Sequence, residues 1–179
     1  AGVKDAVTSY DIAFRLAPRI NAGGRIADAA VALNLLLGEG DARALAETLE
    51  RDNAERKRME QCILNDARAR LATRDLAGVR AIVLAGEDWN IGVVGLAASR
   101  LVSEYGRPTV LLAAKGDGYA GSCRSIAGVD IHAALSACAD TLTRFGGHSQ
   151  AAGLAMRREM LPAFERRLEE RLAQVARPD

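Results

Sequence analysis

Aromatic side chains are scarce in this 179-residue chain, 4% in all with a single Trp, so its core has to be built from Ala, Leu, Val and Ile. There are only two histidines, His132 and His148, and three cysteines, Cys62, Cys123 and Cys138, with no metal-ligand spacing among them. Nor is there an Asp-His-His triplet or a cluster of carboxylates, which excludes a dinuclear metal site built within this window alone. An odd number of scattered cysteines reads as reduced thiols in a cytoplasmic protein, not as a disulfide framework. No apolar run reaches membrane length. The start, "AGVKDAVTSYDIAF", lacks the basic and apolar regions of a signal peptide. An excess of one charge is also missing: 24 Lys+Arg against 23 Asp+Glu leave +1. That excludes nucleic-acid binding by bulk charge, but not a local basic groove. Position 1 is Ala, not Met, and the expectation is a piece of a longer chain with further motifs outside it.

What is present has the size of one ordinary domain or two small ones. Pro18 and Gly23-Gly24 mark "APRINAGGR" as a loop, and "DAAVALNLLL" then reads as a buried helix stopped by Gly38 and Gly40. Asp41 caps a long helix, free of Pro and Gly, that reaches about Thr73. Its apolar stripe runs through Leu45, Leu49, Met59, Ile63, Ala67 and Leu71. The polar middle, "ERDNAERKRMEQ", reads as a solvated face crossing between two lobes. After Leu76 the pattern alternates. "VRAIVLAG", "RPTVLLAA", the stretch after the turn "KGDG", and "GLAMR" read as strands. Helices are expected over "GVVGLAASRLVSEYG" with Gly106 as C-cap, from Asp130 over "DIHAAL", and over "MLPAFERRLEERLAQVA". This alternation predicts an α/β sandwich. His132 reads as partly buried and structural.

Four short stretches have the residue types that chemistry needs, and each has two readings. In "WNIGVVG", Trp89, Asn90 and Gly92 precede a glycine-opened helix, which either binds an anion through its free first-turn N–H groups or simply packs closely on a sheet. In "GSCRS", Ser122, Arg124 and Ser125 offer either a guanidinium fork with hydroxyl donors for phosphate or an exposed edge arginine. In "FGGH", Gly146 and Gly147 form either a backbone cradle for an anion, with His148 at its lip, or a tight turn before a strand. In "APRINAGGR", Arg19, Asn21 and Arg25 suit either a phosphodiester backbone or structural ion pairs.

In order, "APRINAGGRI…DA", "W-x-x-GVVGLAASRL", "RPTVLL", "GSCRSIAGVDIHAAL" and "RFGGHSQAAGLAM" resemble the RecJ family of single-strand-specific DNA exonucleases in the DHH phosphoesterase superfamily. The resemblance covers nearly the whole chain. It implies that residues 1–40 are the C-terminal part of a DHH catalytic domain, 41–77 a connecting helix, and 78–179 a DHHA1 substrate-binding domain with a mixed β-sheet flanked by helices. It further implies 5′-to-3′ hydrolysis of single-stranded DNA in repair and recombination, with Mn2+ or Mg2+ held by residues outside this chain. The piece itself would then be inactive. Implied partners are single-stranded DNA, a single-strand-binding protein and a helicase, with no membrane. Ser122, Arg124 and Ser125 match the family's phosphate-gripping element near the 5′ end, Gly146, Gly147 and His148 its glycine-glycine-histidine element, and Arg19, Asn21 and Arg25 its substrate-path loop. Three positions depart from the pattern: Asn90 stands where His is usual, Cys123 where Gly or Ala is, and Ala127 where Pro is. The alternatives are a DHH-family phosphodiesterase of short oligonucleotides or cyclic dinucleotides, and a non-catalytic nucleic-acid-binding DHHA1 module.

Overall fold

The computed structural model describes residue 2 and residues 6–174. The chain divides into two compact units, Ala1–Met59 and Glu60–Asp179, with the division inside one long helix.

The first unit is helical. α1 (Ser9–Asp11) opens with a capping box: Thr8 Oγ1 accepts from the Asp11 N–H, and the Asp11 carboxylate accepts from the Thr8 N–H. A single π-helical turn, Ile12–Leu16, leads into α2 (Ala17–Ile26). All of "APRINAGGR" is therefore helix, not loop. Helix runs unbroken from Ser9 to Ile26, and Pro18 sits just after the π-helical turn, a local widening of the helix at the proline. Gly23 is buried, and a Cβ there would meet the Asp28 carbonyl oxygen at 2.9 Å, so this glycine serves packing and does not mark a break. α3 (Ala30–Leu37) stops at Gly38, where φ is 74° and the N–H reaches the Asn34 and Leu35 carbonyls. Asp41 Oδ1 then accepts from the N–H groups of Arg43 and Ala44 and opens α4 (Ala42–Ala72). These stops and starts fall where their cap residues predict. The middle of α4 differs from the expectation of a purely solvated face. Asn53 is 1% and Arg56 8% exposed, and Arg56 Nη2 donates to Asn53 Oδ1 at 3.2 Å. Side chains one turn apart can pair in this way, which offsets part of the cost of burying two polar groups.

The second unit is a five-stranded mixed sheet between helices. β1 (Ile82–Gly86) runs parallel to β2 (Thr109–Lys115), and α5 (Ile91–Tyr105) makes the crossover. β3 (Gly118–Arg124) follows the "KGDG" turn and pairs antiparallel with β2. α6 (Ile131–Ser136), capped by Asp130, comes next, then the hairpin of β4 (Arg144–His148) and β5 (Ala151–Arg157), and finally α7 (Leu161–Ala173). The spatial order is β1-β2-β3-β5-β4, with β4 at an edge. "RFGGH" is thus a strand and not a turn. Gly147 is required there because a Cβ would lie 2.4 Å from the carbonyl oxygen of Ala151 on the partner strand, and its φ is 147°.

Strand alternation sorts the side chains between two faces. One face places Val83, Val110, Leu112, Cys123, Leu154 and Met156 in a single core with Ile131 and Leu135 of α6 and Phe164 and Leu168 of α7. On the other face α5 packs on β2 and β3 and buries Val93, Val94, Ala97, Ala98 and Leu101 completely. Each such Val or Leu contributes on the order of 1.5–3 kcal/mol through burial. α5 does not extend over β5 and β4, where Gly146, His148 and Gly153 are exposed.

Candidate functional site

Cys123 faces the core, so its neighbours Ser122 and Arg124 face the side on which α5 lies. The strand register carries that side across the sheet in rows. Arg124 pairs with Ala151, and Ala151 with His148. Ser122 pairs with Gly153, and Gly153 with Gly146. Ala120 pairs with Ala155, and Ala155 with Arg144. Each step across is about 5 Å. Ser122 and Arg124 of "GSCRS" and Gly146 and His148 of "FGGH" therefore share one open face with only small residues between them, whereas Gly147, paired with Ala152, falls on the core side.

Helix α5 forms the wall of this face. A Cβ at Gly95 would come within 2.8 Å of Arg124 Nη2 and 3.1 Å of Ser122 Oγ, so the absent side chain leaves room for the guanidinium. Arg124 Nη1 donates to Ser122 Oγ at 2.5 Å and to the Cys123 carbonyl at 2.7 Å. The half-buried guanidinium is thereby folded back along its own strand and held at the rim of the open face. A planar fork fixed in this way suits an oxyanion such as phosphate. His148 is exposed at the end of β4, and Gly146 is exposed with nothing within 4 Å of where its Cβ would be.

Other predicted residues are engaged locally. Ser125 is 9% exposed and its Oγ donates to the Val129 carbonyl at 2.7 Å, closing its own turn. Trp89 is also 9% exposed. Its ring lies where a Cβ on Gly86 would come within 2.3 Å, and Nε1 donates to Asp66 at 3.0 Å. The Arg70 guanidinium sits 5.4 Å from that ring's centroid. Asn90 is the N-cap of α5, its Oδ1 accepting from the Gly92 N–H at 2.8 Å. Asn is a strong N-cap, which gives it a local reason to stand where the resemblance leads one to expect His. The cap also occupies a first-turn donor that would otherwise face an anion. Cys123 is fully buried, and burial pushes its thiol up to about 12, so it stays a neutral packing group near pH 7. His132 is half-buried, 5.7 Å from the Phe145 ring.

In the first unit, Arg19 Nε and Nη2 grip the Glu50 carboxylate at 2.5 and 3.0 Å, and Nη1 donates to the Arg15 carbonyl at 2.6 Å. The guanidinium holds Glu50 below the usual carboxylate range. Asn21 and Arg25 are exposed on α2.

Two further cations lie on the open face: Lys115, outside every motif, and Arg144, the first residue of "RFGGHSQAAGLAM". Lys115 ends β2, and Arg144 begins β4 two residues before Gly146, a spacing that puts both β4 residues on one side. With Ile91, Gly146 and Gly153 they border a cleft of about 350 Å3. Among the described residues no three His, Cys, Asp or Glu side chains converge to hold a metal, and no helix is long and apolar enough to cross a membrane.

Residues 78–174 match the DHHA1 domain. The chain is 40% identical over 163 residues to the single-stranded-DNA-specific exonuclease RecJ of Bacillus subtilis (strain 168), an alignment covering 89% of this chain and 21% of that protein. The crystal structure of RecJ in complex with Mg2+ from Thermus thermophilus superposes with a TM-score of 0.83 at 39% identity, covering 94% of this chain and 26% of that one. Its counterpart with Mn2+ gives 0.82 at 40% identity, covering 94% and 25%. The chain thus spans about a quarter of the length of these relatives.

Proposed function

The chain belongs to the DHHA1 domain family, and from that premise we propose that it is the strand-holding part of a 5′-to-3′ exonuclease acting on single-stranded DNA in repair and recombination. Residues 78–179 bind the phosphate backbone near the 5′ end, 41–77 form the connecting helix, and 1–40 complete a catalytic DHH domain. The apolar side chains of Tyr10, Phe14, Leu33, Leu36 and Leu37 are all more than half exposed. That fits a segment whose core partners lie elsewhere in a longer protein. Mn2+ or Mg2+ would be held there too, a reading supported by the similar RecJ structures in complex with Mg2+ and Mn2+. What this chain's own residues do is bind and orient the strand.

The observation that carries the reading is the row structure of the sheet: Ser122 and Arg124 share one open face with Gly146 and His148. Arg124 supplies a paired donor to a phosphate oxygen, Ser122 fixes the fork, and the glycines allow the strand's backbone to approach. Arg19, Asn21 and Arg25 line the substrate path on the first unit. A single-strand-binding protein and a helicase would deliver the strand.

Fluorescence anisotropy with a 5′-phosphorylated oligothymidylate tests this. Arg124→Ala should weaken binding about tenfold and reduce the salt slope by about 0.7, the loss of one phosphate contact on a single strand. An Arg124→Ala chain with wild-type affinity and slope would remove that arginine from the site.

A further inference from the structure

The cleft bordered by Lys115, Arg144, Ile91, Gly146 and Gly153 is not accounted for by the Arg124 row. Lys115 and Arg144 have neither an ion pair nor a side-chain hydrogen bond in the described structure, unlike Arg158, which grips Glu87, and Arg68, which grips Glu104. Both project on the α5 side of the sheet, since Lys115 follows Ala113 and Arg144 precedes Gly146 in the two-residue period. β2 and β4 are three strands apart, about 15 Å, so Lys115 and Arg144 line the one cleft from opposite sides, and an anion entering it would meet a cation on each.

The floor of the cleft points the same way. Gly121 and Gly147 are required by the fold, because a Cβ at either would strike backbone at 2.1 or 2.4 Å. Gly146 and Gly153 are not: a Cβ at Gly146 meets nothing within 4 Å, and one at Gly153 meets only the Gly121 carbonyl oxygen at 3.8 Å. Glycine weakens a strand, and where its own fold does not require it, it marks a place where another backbone comes close. Ile91, 48% exposed on the first turn of α5, adds an apolar lip on which a sugar or base can rest. A neighbouring cleft of about 320 Å3 shares Lys115 and Arg144 and extends toward Arg157, with the Asp117 carboxylate as its one acidic lining residue.

We propose that this groove is a second phosphodiester subsite for single-stranded DNA, holding an internal phosphate of the strand whose terminal phosphate sits at Arg124. Arg144 lies four residues along β4 from His148, about 13 Å in an extended strand, so the two ends of β4 meet different stretches of a bound strand. The strand runs across the glycine floor from the Arg124–His148 row to the Lys115–Arg144 pair. This rests on the reading of the open face as strand-binding.

The test compares thymidine 5′-monophosphate with a 5′-phosphorylated thymidylate hexamer, each titrated into the 179-residue chain. Lys115→Ala/Arg144→Ala should weaken hexamer binding about tenfold and lower its salt slope by about 0.7 for the lost phosphate contact, leaving monophosphate binding unchanged. Gly153→Val fills the floor with a residue that strands favour, and should weaken the hexamer several-fold more than the monophosphate at an unchanged melting temperature. Wild-type hexamer affinity in either variant overturns the subsite, as does an equal loss for the monophosphate. Arg124→Ala, which should weaken both ligands, reports separately on the underlying reading: if it changes neither, that reading fails whatever the groove does.

Discussion

At Gly95 the absent side chain makes room for the Arg124 guanidinium, so this position separates binding from stability. In Gly95→Ala the new methyl would sit 2.8 Å from Arg124 Nη2, the far end of a flexible side chain, and the arginine is what moves. Ala within a helix is favoured over Gly by roughly 0.5–1 kcal/mol. The melting temperature should therefore hold or rise while affinity for a 5′-phosphorylated oligonucleotide falls several-fold; unchanged affinity would show that the folded-back pose of Arg124 does not matter for binding. At this scale the chemistry was partly legible. Ser122, Arg124 and His148 stand out as residue types. That Ser125 and Trp89 spend their donors on Val129 and Asp66 was not, since those partners are brought in by a turn and by another helix.

At the scale of elements, local signals served where one residue decides an end. Gly38, Asp41, Gly106 and Asp130 all cap where expected. They misled where a residue has two uses. Pro18 commonly ends a helix but here follows a π-helical turn within one, and Gly23 is small for the sake of Asp28, so α2 resembled a loop. "RFGGH" has no apolar alternation, and its strand character comes from pairing with β5 at the sheet edge, which is a long-range property. The N-cap of α5 gives an element-scale prediction. Asn90→Ala should cost about 1 kcal/mol by removing the acceptor of the Gly92 N–H, whereas Asn90→Asp, which keeps an acceptor at the helix N-terminus, should hold stability. Denaturant midpoints of the two variants check this, and an Asn90→Ala midpoint equal to wild type would mean that the cap contributes nothing.

At the scale of the molecule, the face that matters exists only because β5 lies between β3 and β4. That order places Arg124, Ala151 and His148 in one row and Ser122, Gly153 and Gly146 in the next. Neither motif contains this information, because register and strand order are fixed by packing of the opposite face around Cys123, Leu154, Met156 and Phe164. The same geometry recruits Lys115, which no motif marks, and Arg144, which opens "RFGGHSQAAGLAM". The central claim is that single-stranded DNA lies along this face and not on the side covered by α6 and α7. The most direct measurement is a two-dimensional NMR titration of the isotope-labelled chain with a 5′-phosphorylated thymidylate oligomer. The account predicts shifts at Ser122, Gly146, His148 and Gly153 and at the Arg124 side chain. Shifts confined to α6 and α7, or no shifts on β3, β4 and β5, would contradict it.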